Sequence, residues 1–166
     1  LLATLANGIE LNPGQVNLVR SMASSGDRLQ LALAPAGAGK TTAMSVLAAA
    51  WREAGGEVLG MAPSAAAAAA LGEPLGGRAD TLHILTHGLS TGRPPAWAEQ
   101  IGPRTLVVID EAGMADTLTL EAAVSFVVGR GGSVRLVGDD HQRAAVEAGG
   151  VLKDLAAEYG AVRLTE

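Results

Sequence analysis

The stretch Ala34-Pro35-Ala36-Gly37-Ala38-Gly39-Lys40-Thr41 constrains this chain more than any other. It lies between a short apolar run, Leu29 to Leu33, and a run rich in Ala, Leu and Met from Lys40 to Ala54. The first has the length and composition of a buried strand, the second those of a helix. Glycines at 37 and 39 allow the tight turn between them. Such a turn aims backbone N–H groups at one point, at the positive end of the helix dipole, and so suits an anion. Lys40 then reaches the β- and γ-phosphates of a nucleotide, and the Thr41 hydroxyl sits on Mg2+. The pattern G-x-x-x-x-G-K-[ST] opens with glycine, where this chain has Ala34. Alanine is small enough to end a strand, so the loop is expected to close. A chance turn in a chain with 22 glycines is the alternative. The strand before and the helix after it argue against that.

A second motif, Val107-Val108-Ile109-Asp110-Glu111, is an apolar strand ending in two acids. Asp110 is placed to hold Mg2+, directly or through water, and Glu111 to act as general base on the attacking water. Two solvated acids opening a helix would look the same in isolation. A third stretch, Gly138-Asp139-Asp140-His141-Gln142, follows a fourth apolar run. Gln142 can hydrogen-bond a γ-phosphate or the attacking water; a Gly/Asp-rich turn is an equal alternative on spacing alone.

Between these motifs, strand and helix patterns alternate. Asn12 and Pro13 open a helix to about Ser24, with Val16, Val19 and Met22 on one side. Glu57 to Ala62 is a strand, and Ser64 caps a helix through the alanines at 65–70. Residues 72–80 read as loop and Thr81 caps a short helix to Leu89. Residues 90–104 are loop with a turn near Trp97. Thr105 to Ile109 and Ser133 to Val137 are strands, Thr117 to Val128 and about Val151 to Glu158 helices. The pattern predicts an α/β fold with a parallel sheet covered by helices on both faces. All three motifs fall at strand carboxyl ends, where such sheets bind ligands. Residues 1–11 read as an entry segment and 12–166 as one domain.

Composition narrows the classes. A chain of 166 residues suits one domain with a real core. With 48% hydrophobic but only 2% aromatic residues, that core is aliphatic. There is no cysteine, hence no disulfide and no thiolate metal site. No apolar run reaches membrane-spanning length and no signal peptide is visible, so a cytoplasmic protein is expected. The start at Leu1 and the terminal strand pattern at Ala161 to Leu164 suggest a piece of something longer. A net charge of −5, with 12 scattered Lys and Arg, speaks against strong nucleic-acid binding by this piece.

Taken in order, Gln15, the A-P-A-G-A-G-K-T loop, M-A-P-S-A-A-A-A-A-A-L, T-L-H-I-L, V-I-D-E-A-G-M and L-V-G-D-D-H-Q-R-A-A-V-E-A-G-G form a set. The set resembles the first RecA-like motor domain of superfamily 1 helicases of the RecD-like branch. It is most similar to the helicase portion of conjugative relaxases, which nick and unwind plasmid DNA for transfer. The resemblance covers about residues 11 to 164 and implies a P-loop NTPase fold that binds ATP and Mg2+. It implies that Gln15 reads the adenine edge and that Pro35, Ala36, Gly37, Ala38, Gly39, Lys40, Thr41 and Thr42 hold the nucleotide. It implies that Pro63, Ser64, Thr81 and His83 touch single-stranded DNA; helix caps and a packed histidine are the plainer alternative. His83 and His87 lack the acid of a zinc-hydrolase motif, because Ile84 follows His83.

Two departures matter. The second motor domain, which in this family supplies arginines to the ATP site, is absent from the sequence. An arginine finger is typically worth about 10^3–10^5 in turnover. This piece is therefore expected to bind nucleotide with little hydrolysis and single-stranded DNA weakly. Arg143 stands where relatives often carry an apolar residue. Two other classes stay open: a non-hydrolysing nucleotide or single-strand-binding module, and a small nucleotide kinase. The kinase would want an arginine-rich lid, and residues 72–104 offer only Arg78, Arg93 and Arg104.

Overall fold

A computed structural model describes residues 13–24, 28–34, 39–139 and 162–165. Six strands form one all-parallel sheet: β1 (Leu29–Ala34), β2 (Glu57–Ala62), β3 (Ala79–Thr81), β4 (Thr105–Ile109), β5 (Ser133–Asp139) and β6 (Val162–Thr165). Their spatial order is β3-β2-β4-β5-β1-β6. The helices are α1 (Pro13–Ser24), α2 (Lys40–Glu53), α3 (Ala65–Leu75), α4 (Leu82–Ser90) and α5 (Thr117–Gly129). Short 3-10 turns occupy Ala96–Gln100 and Ala112–Met114.

Parallel strands buried on both faces need apolar residues at every position, and the period of two then sorts them by face. Leu29, Leu31, Leu59, Met61, Val107, Ile109, Val134 and Leu136 pack with α4 and α5 through Leu82, Leu85, Leu120 and Val124. Ala32, Leu106, Val108 and Val137 face the other way, onto Met22 of α1, Met44 and Leu47 of α2 and Leu71 and Leu75 of α3. Each fully buried leucine contributes about 1.5–3 kcal/mol. This is the RecA-like P-loop NTPase architecture, with helices on both faces. Arg135 of β5 is wholly buried. Its Nε donates to the Met22 carbonyl at 3.1 Å and one terminal nitrogen to the Val134 carbonyl at 3.0 Å, tying the sheet to the end of α1.

The sheet differs from the sequence expectation in two places. Of residues 72–80 only Gly76 to Arg78 are loop. Helix α3 continues to Leu75 with Pro74 inside it, and β3 follows. Leu71 and Leu75, one turn apart, are both buried, and their packing offsets the one helical hydrogen bond that proline cannot make. Gly76, at φ 68°, then ends the helix, and Arg52 of α2 donates to the Leu75 carbonyl. Gly138 and Asp139, expected beyond the fourth apolar strand, belong to it and pair with Leu33 and Ala34. Of the predicted face of α1, Met22 is buried and Val16 partly so; the side chain of Val19 lies outside the described set, as does the helix expected at 151–158.

Candidate nucleotide site

Three strand ends meet at one edge of the sheet. β1 closes at Ala34, paired with Asp139, and β4 runs into Asp110, whose N–H donates to the Met61 carbonyl at 3.0 Å. Helix α2 begins at Lys40, directly after Gly39. Lys40 Nζ lies 2.9 Å from Asp110 Oδ1. The pair is partly buried, at 28% and 13% side-chain exposure, so its charges are less screened than a surface pair's. The structure thus brings the lysine of the glycine loop and the first acid of D-E-A-G-M into direct contact.

Gly39 is required twice over. Its φ of 78° is left-handed. A Cβ there would also stand 1.9 Å from Gln15 Nε2. That nitrogen donates to the Gly39 carbonyl at 3.0 Å, so the residue expected at the adenine edge sits against the end of the glycine loop. The same carbonyl accepts the Ala43 N–H at 3.0 Å, the first turn of α2. Thr41 is exposed on that turn and Thr42 partly buried.

Glu111 has φ 53°, a left-handed backbone that costs a non-glycine residue about 1–3 kcal/mol. Among the described residues no other non-glycine has positive φ. Its N–H donates to Asp110 Oδ1 at 2.9 Å, and its carbonyl accepts from Met114 N–H at 2.9 Å. One carboxylate oxygen of Asp110 therefore takes both the Lys40 ammonium and the Glu111 amide. Beyond this turn Met114 and Leu118 are 69% and 79% exposed.

The A-P-S and T-L-H elements lie at the same sheet edge, because Ala62 pairs with Thr81 across β2 and β3. Ser64 Oγ accepts from Ala67 N–H at 3.1 Å and Thr81 Oγ1 from Ile84 N–H at 3.2 Å. Both hydroxyls are helix caps, the plainer of the two readings. His83 is exposed, not packed, and its ring stacks on His87 at 5.3 Å between centroids, so the two share a helix face as their spacing suggests. Among the described residues no group of three or more His, Cys, Asp or Glu could hold a metal. No helix there is long and apolar enough to cross a membrane.

Pro35, Ala36, Gly37, Ala38, Gln142 and Arg143 lie outside the described residues. Sequence reasoning missed the Gln15–Gly39 bond and the strained Glu111 backbone. For the first, a glutamine 24 positions ahead of a glycine carries no pattern. For the second, the signal available was an acid–acid pair leaving a buried strand at a sharp turn.

The AAA domain family matches residues 10–166. A probable conjugal transfer protein TraA of Sinorhizobium fredii is 30% identical over 164 residues, 99% of this chain and 14% of that protein. The RecBCD enzyme subunit RecD of Mycobacterium tuberculosis is 41% identical over 83 residues, 47% of this chain and 14% of that protein. The UvsW helicase of bacteriophage T4 has the same fold, with a TM-score of 0.58 and 16% identity over 94% of this chain and 60% of that one. The chain thus spans a small part of the length of TraA and RecD.

Proposed function

This chain belongs to the AAA domain family, in the RecD-like superfamily 1 branch near conjugative relaxases, and from that membership we propose that it is the ATP-binding motor domain of a DNA helicase or translocase. The observation that carries the reading is the Lys40–Asp110 contact at the carboxyl edge of the sheet. Lys40 binds the β- and γ-phosphates once nucleotide enters, at the N-terminus of α2. Thr41 and Asp110 supply hard oxygens of the kind Mg2+ takes, and the cation's chemistry there is to neutralise charge on the phosphates. Glu111 accepts the proton of the water that attacks the γ-phosphorus, giving ADP and phosphate. Gln142 reports on the γ-phosphate and Gln15 on the adenine.

Fast turnover in this family draws on arginines supplied from outside the domain, so the domain by itself turns ATP over slowly or not at all. Single-stranded DNA runs along Pro63, Ser64, Thr81 and His83, and binds weakly for want of a basic groove and stacking aromatics. Nucleotide affinity tests the core of the reading. Titrating a fluorescent ADP analogue with Mg2+ into the protein and into Lys40→Ala should show a loss of at least about tenfold, the scale of a charge-assisted phosphate contact. Equal affinities would sink the assignment.

A further inference from the structure

We infer that His83 and His87 form a two-imidazole chelating site for a borderline transition-metal dication such as Zn2+, on the exposed face of α4. Helix α4 buries Leu82, Leu85 and Gly88. The helical period then puts positions 83 and 87 together on the solvent side, one turn apart, and both histidines are exposed. Their ring centroids lie 5.3 Å apart. Two imidazoles on one tetrahedral ion, at the usual metal–nitrogen distance of about 2.0–2.1 Å, have centroids about 5 Å apart. The rings therefore already stand at chelating separation. Their planes make an angle of 20°, so closing on an ion asks for rotation about the broad χ2 torsion, which exposure leaves open. Histidines one turn apart are the pair with which helices hold zinc in metalloproteases. The missing acid removes that hydrolytic chemistry and leaves the two ligands.

The backbone that carries His87 is fixed. Its carbonyl accepts the Thr91 N–H at 3.0 Å, the Ser90 hydroxyl at 2.9 Å and the Thr91 hydroxyl at 3.0 Å. The chain then doubles back on the helix. The Arg93 N–H donates to the Gly88 carbonyl at 2.8 Å, and a Cβ at Gly88 would stand 2.9 Å from the Arg93 carbonyl oxygen. This close approach brings Arg93 and Pro95 into an open cavity of about 630 Å3 with His83, His87 and Thr91. The cavity has room for the ion's remaining ligands, and the charge of Arg93 favours an anion among them. Among the described residues no carboxylate lines it. Mg2+ and Ca2+ want oxygen ligands, while imidazole suits Zn2+, Ni2+ and Cu2+, so the site selects its metal by ligand type.

The untagged chain is titrated with Zn2+ by calorimetry, without nucleotide and in excess Mg2+ so that sites made of oxygen are filled. His83→Ala and His87→Ala are titrated beside it, with His141→Ala, at the third histidine of the sequence, as control. Circular dichroism checks folding, and His83→Asn or His87→Asn replaces an alanine variant that fails to fold. The parent should bind one Zn2+ per chain. Each α4 variant should lose about tenfold or more in affinity, since losing even an outer-sphere partner of a metal ligand costs about 10–100-fold. His141→Ala should bind as the parent does. Zn2+ at a hundredfold excess over Kd should raise the melting temperature of parent and control alone, by about 5–10 °C. Cu2+, which such ligands bind more tightly still, should show nitrogen splitting from two imidazoles in the parent and from one in either α4 variant by electron paramagnetic resonance. No saturable Zn2+ binding in the parent overturns the site. So does binding that survives either α4 substitution, or that falls equally in His141→Ala.

Discussion

Helices α3, α4 and α5 all begin the same way, and α2 does not. Ser64, Thr81 and Asp116 each sit in extended backbone and accept an N–H of their own first turn through a side-chain oxygen. Gly39, at the head of α2, has no side chain to offer and is left-handed. The first three ends are closed by the chain itself. The fourth is built from a residue that gives up side-chain capping, at a cost for glycine of only about a few tenths of a kcal/mol, in favour of close approach. Of the four helices whose N-cap residues are described, three carry a side-chain cap, and the exception is the end that follows the glycine loop.

The harshest way to break that contrast is to give α2 an ordinary start. Gly39→Ala forces a Cβ to within 1.9 Å of Gln15 Nε2 and onto a positive φ. It should cost about 1–3 kcal/mol of stability by the usual strain of such backbone. It should also abolish binding of a fluorescent ADP analogue, a result a stability loss at 25 °C alone would not produce. Denaturant melts and nucleotide titration on the same sample check both halves.

Relieving strain should do the opposite. Glu111→Gly keeps the turn but removes the cost of left-handed backbone at a residue with side chain. Melting should rise by the equivalent of up to about 1 kcal/mol, offset in part by the greater freedom of glycine in the unfolded chain. Any residual ATP turnover should disappear. A variant that is both less stable and still active would remove Glu111 from the site.

At the capped ends, changes should touch stability and leave nucleotide binding as it is. Ser64→Ala and Thr81→Ala should each lose about 1 kcal/mol in urea melts. Neither should alter ADP affinity; a change there would mean that the two halves of the sheet edge communicate. Asp116 offers the smallest and most selective effect. The Thr119 hydroxyl and its N–H hold this carboxyl below the ordinary carboxylate range. Its cap is therefore complete above the ordinary carboxylate range and is lost as pH falls through the lowered folded-state value. The difference in melting temperature between the parent and Asp116→Ala should be present at neutral pH and shrink below about pH 4.

Much of this contrast is written in the local sequence. Ser64 and Thr81 were legible as caps, because a hydroxyl residue before an apolar or alanine run has one common use. Strands β2 and β4 were legible to the residue, as short, mostly apolar runs between turn residues. Pro74 misled, since a proline weighs heavily in local reading while the packing of Leu75 is a tertiary fact. The parallel sheet followed from alternation, and the AAA domain match agrees with it. The Gln15–Gly39 bond and the Lys40–Asp110 contact join elements whose separation no local window spans.

The strand order carries a consequence for how the molecule comes together. β1, which delivers the chain into Gly39 and Lys40, has β5 on one side and β6 on the other, both roughly a hundred or more residues further along the chain. β2, β3 and β4 can find each other early, over shorter loops. β1 must wait, because closing long loops is slow and is rewarded only once the distant partner is in place. Slow amide exchange should therefore appear in β2 and β4 before β1 during refolding. A strand made early relative to its partners is thus secured late, and the entry into α2 is settled only after β5 and β6 have been made.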